Sequence, residues 1–300
     1  MSAAERAKVR ERWRILVEAL APPAGIPEYR AGYDQLLGSF PIPEGTTIEQ
    51  ADAGGVPAIL VSAPHVGGDR IVLWLHSGGF VFGSALGYRF FAAALSAAAD
   101  GAVLLVDYRL APEHPFPAAL DDARAAYRWL LDQGWPPERL VVAGDSAGGG
   151  LALSVLLALK DTASPLPAGA VVVSPMADLT LSGESVRTKA DLDPLASEQM
   201  LAALCGLYAG AERRDSRYLS PALADLSGLP PLLVLVGSDE VLYDDAVRIV
   251  QHARASGGAA DLIVGEGQAH VWPLFHQVLS EGQEALDEIG AFVRARTVGR

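Results

Sequence analysis

The sequence predicts an α/β protein with a mostly parallel eight-stranded sheet, helices on both faces and a small helical cap. Three observations predict it. From residue 71 onward, apolar runs of strand length alternate with Ala-rich helical stretches, the pattern of a sheet covered on both sides. Residues 71–75, 102–106 and 232–236 are apolar at every position, as double-sided burial demands. Between the strands expected at 170–174 and 232–236 lie more than fifty residues, where a crossover needs only about a dozen.

In chain order, residues 3–20 read as an amphipathic helix, with Val9, Trp13, Leu16, Val17 and Leu20 near helical spacing. Pro22 and Pro23 end it, and a second helix at 28–37 stops before Pro41 and Pro43. Strands follow at 46–51, 58–62 and 71–75, with glycine pairs in the links. Helices at 88–99, 118–133 and 151–160 then alternate with strands at 102–107, 140–143 and 170–174. The chain closes with strand 232–236, helix 242–255, strand 261–264 and a helix near 283–296. We read residues 1–300 as one domain. The long interval holds a helix at 197–209, and an insertion at the carboxyl end of a strand is where α/β proteins hold ligands. About 180–215, together with about 1–45, is therefore expected to form the cap.

Composition sets bounds. A hydrophobic fraction of 50% and a charged fraction of 20% are those of a folded chain with a large core. The single cysteine, Cys205, excludes an intrachain disulfide and a cysteine-cluster metal site. We expect it to be a small buried hydrophobe. Charges run through residues 1–20, and no apolar run reaches the length of a membrane span. A cytoplasmic protein without a membrane partner is the expectation. The formal charge of −13 argues against a nucleic-acid partner. No histidine pair has metal-ligand spacing on one element, so neither metal nor cofactor is expected.

The chemistry is concentrated at strand ends. The run at 140–143 enters Gly144-Asp145-Ser146-Ala147-Gly148 and then a helix, the G-x-S-x-G spacing of a nucleophile elbow. Neither a dinucleotide fingerprint nor a phosphate loop fits, since G-x-G-x-x-G and Gly-Lys-Ser/Thr are both absent from it. A serine hydroxyl needs an adjacent base, and the base an orienting acid, here expected downstream in the order acid then histidine. His65, His76 and His114 precede the serine, His252 falls within a helix, and His276 follows a proline. His270, in the loop after strand 261–264, is the expected base. The run 232–236 ends in Gly237-Ser238-Asp239, and Asp239 is preferred as the acid, with Glu240 and Asp244 as rivals. Strand 71–75 leads into His76-Ser77-Gly78-Gly79-Phe80. With the Ala147 N–H, Gly78 and Gly79 would supply backbone donors for an oxyanion.

These pieces, with Asp107-Tyr108-Arg109-Leu110-Ala111-Pro112-Glu113-His114-Pro115-Phe116-Pro117-Ala118-Ala119, resemble the hormone-sensitive-lipase-like family of bacterial esterases, within the α/β-hydrolase fold. The likeness spans about residues 70–275. It implies Ser146 as nucleophile, His270 as base, Asp239 as acid and Gly78, Gly79 and Ala147 as oxyanion donors. One departure stands out: the family's usual His-Gly-Gly-Gly is His-Ser-Gly-Gly here, placing Ser77 beside the donors without replacing one. Arg109, with Glu113 or an Asp121/Asp122 carboxylate, is expected to pin the loop below the sheet. Phe80, Phe82, Tyr88, Met200, Leu201, Leu204 and Tyr208 are expected to line an apolar pocket, and Asp145 to bond cap or loop backbone.

The function these readings imply is a serine carboxylesterase acting on short- to medium-chain uncharged esters through an acyl-enzyme. Lactone hydrolysis is the nearest alternative activity, and a ligand-binding homologue without catalysis the alternative of another class. The presence of His270 favours the enzyme. The resemblance is also consistent with a homodimer.

Overall fold

The apolar runs become the middle of one eight-stranded sheet, in the order β1-β2-β4-β3-β5-β6-β7-β8. The structure, a computed structural model, describes residues 3–19 and 25–297. The strands are β1 (Thr47–Asp52), β2 (Pro57–Ser62), β3 (Ile71–Leu75), β4 (Ala102–Val106), β5 (Leu140–Asp145), β6 (Gly169–Val173), β7 (Leu232–Gly237) and β8 (Ala260–Gly265). Only β2 runs against its neighbours, pairing antiparallel with β1 and β4. Every other pairing is parallel. Strands β3, β5, β6 and β7 are buried at every residue, which is why they read as unbroken apolar runs. The edge strand β1 is exposed at most positions and keeps polar residues.

The helices are α1 (Ala3–Ala19), α2 (Ile26–Gly38), α3 (Arg89–Ala99), α4 (Ala118–Asp132), α5 (Ala147–Asp161), α6 (Ser185–Thr188), α7 (Glu198–Ala209), α8 (Tyr243–Ala255) and α9 (Ser280–Arg296). Helix α3 carries the chain from β3 out to β4, and α4 carries it back across β3 to β5. Right-handed crossovers in opposite directions place these helices on opposite faces. Parallel strands all point their carboxyl ends to one edge, so the loops after β3, β5, β7 and β8 meet there. The expected elements are all present, with ends moved by a few residues. Pro22 and Pro23, and Leu20 of the expected helix face, lie outside the described residues.

Helices α1, α2 and α7 come together above that edge. Val9, Trp13 and Leu16 of α1 are buried as the helical spacing predicts, whereas Val17 is 38% exposed. Trp13 anchors α1, stacked on Tyr33 of α2 and edge-on to Phe275. Arg109 pins the loop after β4 through Asp122, at 2.7 Å; Glu113 instead pairs with Arg30 of α2. Cys205 is buried in α7, and burial pushes its thiol up to about 12.

Candidate active site

Ser146 sits between the last residue of β5 and the first of α5, with φ 53° and ψ −120°. This strained left-handed backbone turns its side chain out of the bend. The turn is tight enough that a Cβ at Gly148 would run into the Leu75 and His76 carbonyl oxygens, so only glycine fits. The Ser146 N–H donates to the Val173 carbonyl at 2.8 Å, and its own carbonyl accepts from Met176 N–H at 2.9 Å. The elbow is thus tied to the end of β6 and to the loop that follows it.

His270 lies in the loop after β8 and lines the same cavity as Ser146, Gly78 and Gly79. Its ring Nδ1 is 2.8 Å from Glu240 Oε2. The other carboxylate oxygen of Glu240 accepts from Ser174 Oγ at 2.7 Å and from Gly237 N–H at 2.5 Å. Glu240 is fully buried, and those donors offset the cost of burying a charge. Burial alone would lower the His270 pKa. The Glu240 hydrogen bond and charge, with help from Asp193 and Asp145, outweigh it and leave the imidazole above its ordinary range.

Asp239, the acid expected from the sequence, is not against the histidine. Its carboxylate pairs with Arg10 of α1 at 3.0 Å and accepts from Ser238 Oγ. The reason is the turn that ends β7. Glu240 N–H donates back to the Gly237 carbonyl, so the chain reverses, residue 240 lies over the strand end and residue 239 points outward. Asp244 is also remote from the histidine, accepting from Ser185 N–H at 2.8 Å.

The loop after β3 holds Gly78 at φ +121°, where a Cβ would strike the Phe82 carbonyl. The Gly78 carbonyl accepts from Val81 and Phe82, which folds the loop back on itself. Among the described residues, no protein acceptor takes the amide hydrogens of Gly78, Gly79 or Ala147. Such amides at a loop and a helix N-terminus are suited to a developing negative charge.

The cavity beside Ser146 holds only about 30 Å³ and is walled by Phe82, Met200, Leu201 and Leu204, among others. A larger chamber of about 660 Å³ lies outside it, between α1, α2 and α7. Phe82, Leu195, Ala196, Met200 and Leu204 border both spaces. Three expected pocket residues are elsewhere. Phe80 and Tyr208 stack face to face with centroids 3.7 Å apart, each burying the other. Tyr88 is fully buried and donates to Asp145 Oδ2 at 2.6 Å. Asp145 bonds side chains, Trp74 as well as Tyr88, rather than cap or loop backbone. Burial pushes its carboxyl up to about 7 despite those donors.

Comparison with known proteins places the fold in a family. The profile of a family with the alpha/beta hydrolase fold matches residues 72–274. An acetyl-hydrolase of Streptomyces hygroscopicus is 43% identical over 272 residues, covering 89% of each chain. An esterase of Acinetobacter venetianus is 34% identical over 261 residues, covering 86% of each. The crystal structure of an esterase from the bacterial hormone-sensitive lipase family superposes with a TM-score of 0.96 at 40% identity, over 99% of this chain and 100% of that one. The chain therefore belongs to the α/β-hydrolase fold family, among the bacterial esterases of the hormone-sensitive lipase type.

Proposed function

We propose that this enzyme is a serine carboxylesterase whose triad is Ser146, His270 and Glu240. The observation that carries the reading is the buried 2.8 Å contact between His270 Nδ1 and Glu240, on an imidazole that shares its cavity with Ser146. The glutamate accepts the Nδ1 hydrogen, which leaves Nε2 unprotonated and able to act as base. Ser146 Oγ attacks the ester carbonyl as its proton passes to Nε2. The Gly78, Gly79 and Ala147 amides stabilise the oxyanion, and the imidazolium then protonates the leaving alcohol. Water, activated by the same histidine, then attacks the acyl carbonyl, breaks the bond to Ser146 Oγ and releases the carboxylic acid and the free serine.

The small cavity beside Ser146 suits a short acyl group, and the apolar chamber suits the remainder of an uncharged ester. Helices α1, α2 and α7 act as the cap. These features support short- to medium-chain substrates and a maximum at four to six carbons. The test is a p-nitrophenyl ester series from acetate to laurate, run with wild type and Ser146→Ala. Turnover should fall by roughly 10⁴- to 10⁶-fold in the variant. Near-normal hydrolysis by Ser146→Ala would overturn the assignment, and a rate rising steadily to laurate would overturn the chain-length reading.

A further inference from the structure

Ser77 stands where the family's usual loop has glycine, and its hydroxyl is not idle. Asp145, the residue before the nucleophile, accepts from Trp74 Nε1–H at 3.1 Å and from the Tyr88 hydroxyl at 2.6 Å. The Tyr88 hydrogen is thereby used, so its oxygen accepts, from Ser77 N–H at 3.2 Å and from Ser77 Oγ at 2.5 Å. The Ser77 hydrogen is then used as well, and its oxygen accepts from the Tyr33 hydroxyl. Because an ionised carboxylate only accepts, the whole chain runs one way: Tyr33 to Ser77 to Tyr88 to Asp145, with a longer 3.4 Å contact from Tyr33 straight to the Tyr88 hydroxyl. It ties helix α2, the loop holding Gly78 and Gly79, and the elbow holding Ser146 into one buried unit.

We propose that Ser77 and Tyr33 are positioning residues, and that this one-way chain fixes the Gly78 and Gly79 amides on the oxyanion while Asp145 is ionised. The proposal rests on the triad and oxyanion assignments above. A proton on Asp145 would make it a donor to Tyr88. Tyr88 must then turn its hydrogen toward Ser77, Ser77 toward Tyr33, and the Tyr33 hydrogen away from the loop. The charge-assisted bond is lost, and with it the fixed direction of the bonds that hold Ser77 and the loop.

Burial brings the carboxyl to about 7, so its state changes within an ordinary assay range. The groups facing it are Tyr88 ahead of α3, Tyr33 on α2, Tyr108 after β4 and His270 after β8. Burial pushes all three phenols up, keeping them neutral. His76, next to Ser77, faces Asp107 and Asp34, and burial lowers it. His270 is left as the group that titrates alongside Asp145, and the two are coupled.

The experiment measures kcat and KM against pH on p-nitrophenyl butyrate for wild type, Asp145→Asn, Tyr33→Phe, Ser77→Ala and the Tyr33→Phe/Ser77→Ala double variant. Active sites are counted with a fluorophosphonate label, so unfolded protein does not enter. The wild-type acid limb should be steeper than one proton, and that of Asp145→Asn should follow a single proton. Ser77→Ala and Tyr33→Phe should each lower kcat about 2- to 12-fold, one hydrogen bond's worth, with KM little changed. The double variant should lose less than the product of the two single losses, since Tyr33 acts chiefly through Ser77 and only by a long 3.4 Å contact on Tyr88 itself. A one-proton limb in wild type, additive losses, or unchanged kcat in Tyr33→Phe would each overturn the proposal. Should Ser77→Ala fail to fold, Tyr33→Phe and Asp145→Asn still decide it. An active Ser146→Ala enzyme would instead overturn the underlying site, a distinct result.

Discussion

Replacing Glu240 with glutamine should be far more damaging than its size suggests, and the hydrogen bonds say why. The Oε1 position receives Ser174 Oγ–H and Gly237 N–H. Ser174 Oγ itself accepts from Val271 N–H at 3.1 Å, and a backbone N–H cannot reverse. A glutamine must therefore put its carbonyl at Oε1 and its NH₂ toward His270. The imidazole then has to accept at Nδ1, which moves its proton to Nε2 and leaves no lone pair for the Ser146 hydrogen. A tautomer fault of this kind costs roughly 10⁴-fold in kcat. The raised His270 pKa should also fall, because burial remains and the charge opposing it is gone. Asp239→Asn loses only the pair with Arg10, whose side chains are 23% and 33% exposed. That is worth about 0–1 kcal/mol, so kcat should stay within about fivefold. Both variants would be assayed on p-nitrophenyl butyrate per mole of folded protein, counted by absorbance after gel filtration, because a serine without its base also labels slowly with a fluorophosphonate. A near-normal Glu240→Gln beside a crippled Asp239→Asn would refute the reasoning.

Two further outcomes follow from the walls around the site. Leu204 touches the oxyanion loop, so close that a Cβ at Gly79 would meet its Cδ1 at 2.5 Å, and it borders both cavity and chamber. Leu204→Ala should join the two spaces and raise kcat/KM for octanoate relative to butyrate by on the order of tenfold, as an ester series would show. Trp13 donates its indole N–H to the His270 carbonyl at 3.1 Å. Trp13→Phe keeps the aromatic packing but loses that bond, worth about 1 kcal/mol, and should lower kcat several-fold at constant active-site concentration; an unchanged kcat would mean α1 does not hold the base.

What the sequence made legible were features that local chemistry enforces. Apolar runs exist because the central strands are buried on both faces, and the glycines of the elbow exist because neighbouring carbonyls leave no room for a Cβ. Both leave marks on the residues themselves, so the places of Ser146, His270 and Gly78-Gly79 just after β5, β8 and β3 could be read by position alone. The choice between Asp239 and Glu240 left no such mark. It turns on a single reversal at Gly237 that decides which of two adjacent carboxylates faces inward, and the alternation of a strand does not extend into a turn. A physical criterion was nevertheless available: a turn opened at Gly237 brings its fourth residue back over the strand end, and that residue is Glu240. Phe82, Met200, Leu201 and Leu204 do line the cavity, and the expected residues that lie elsewhere do so for a different reason. Phe80 and Tyr208 lie 128 positions apart in the numbering, and nothing near either predicts that they stack on one another rather than on a substrate. Ser77 is the converse case. Its departure from the glycine pattern was visible at once, but a lone hydroxyl acquires meaning only when Tyr33, Tyr88 and Asp145, brought from three other elements, give its hydrogen a single direction.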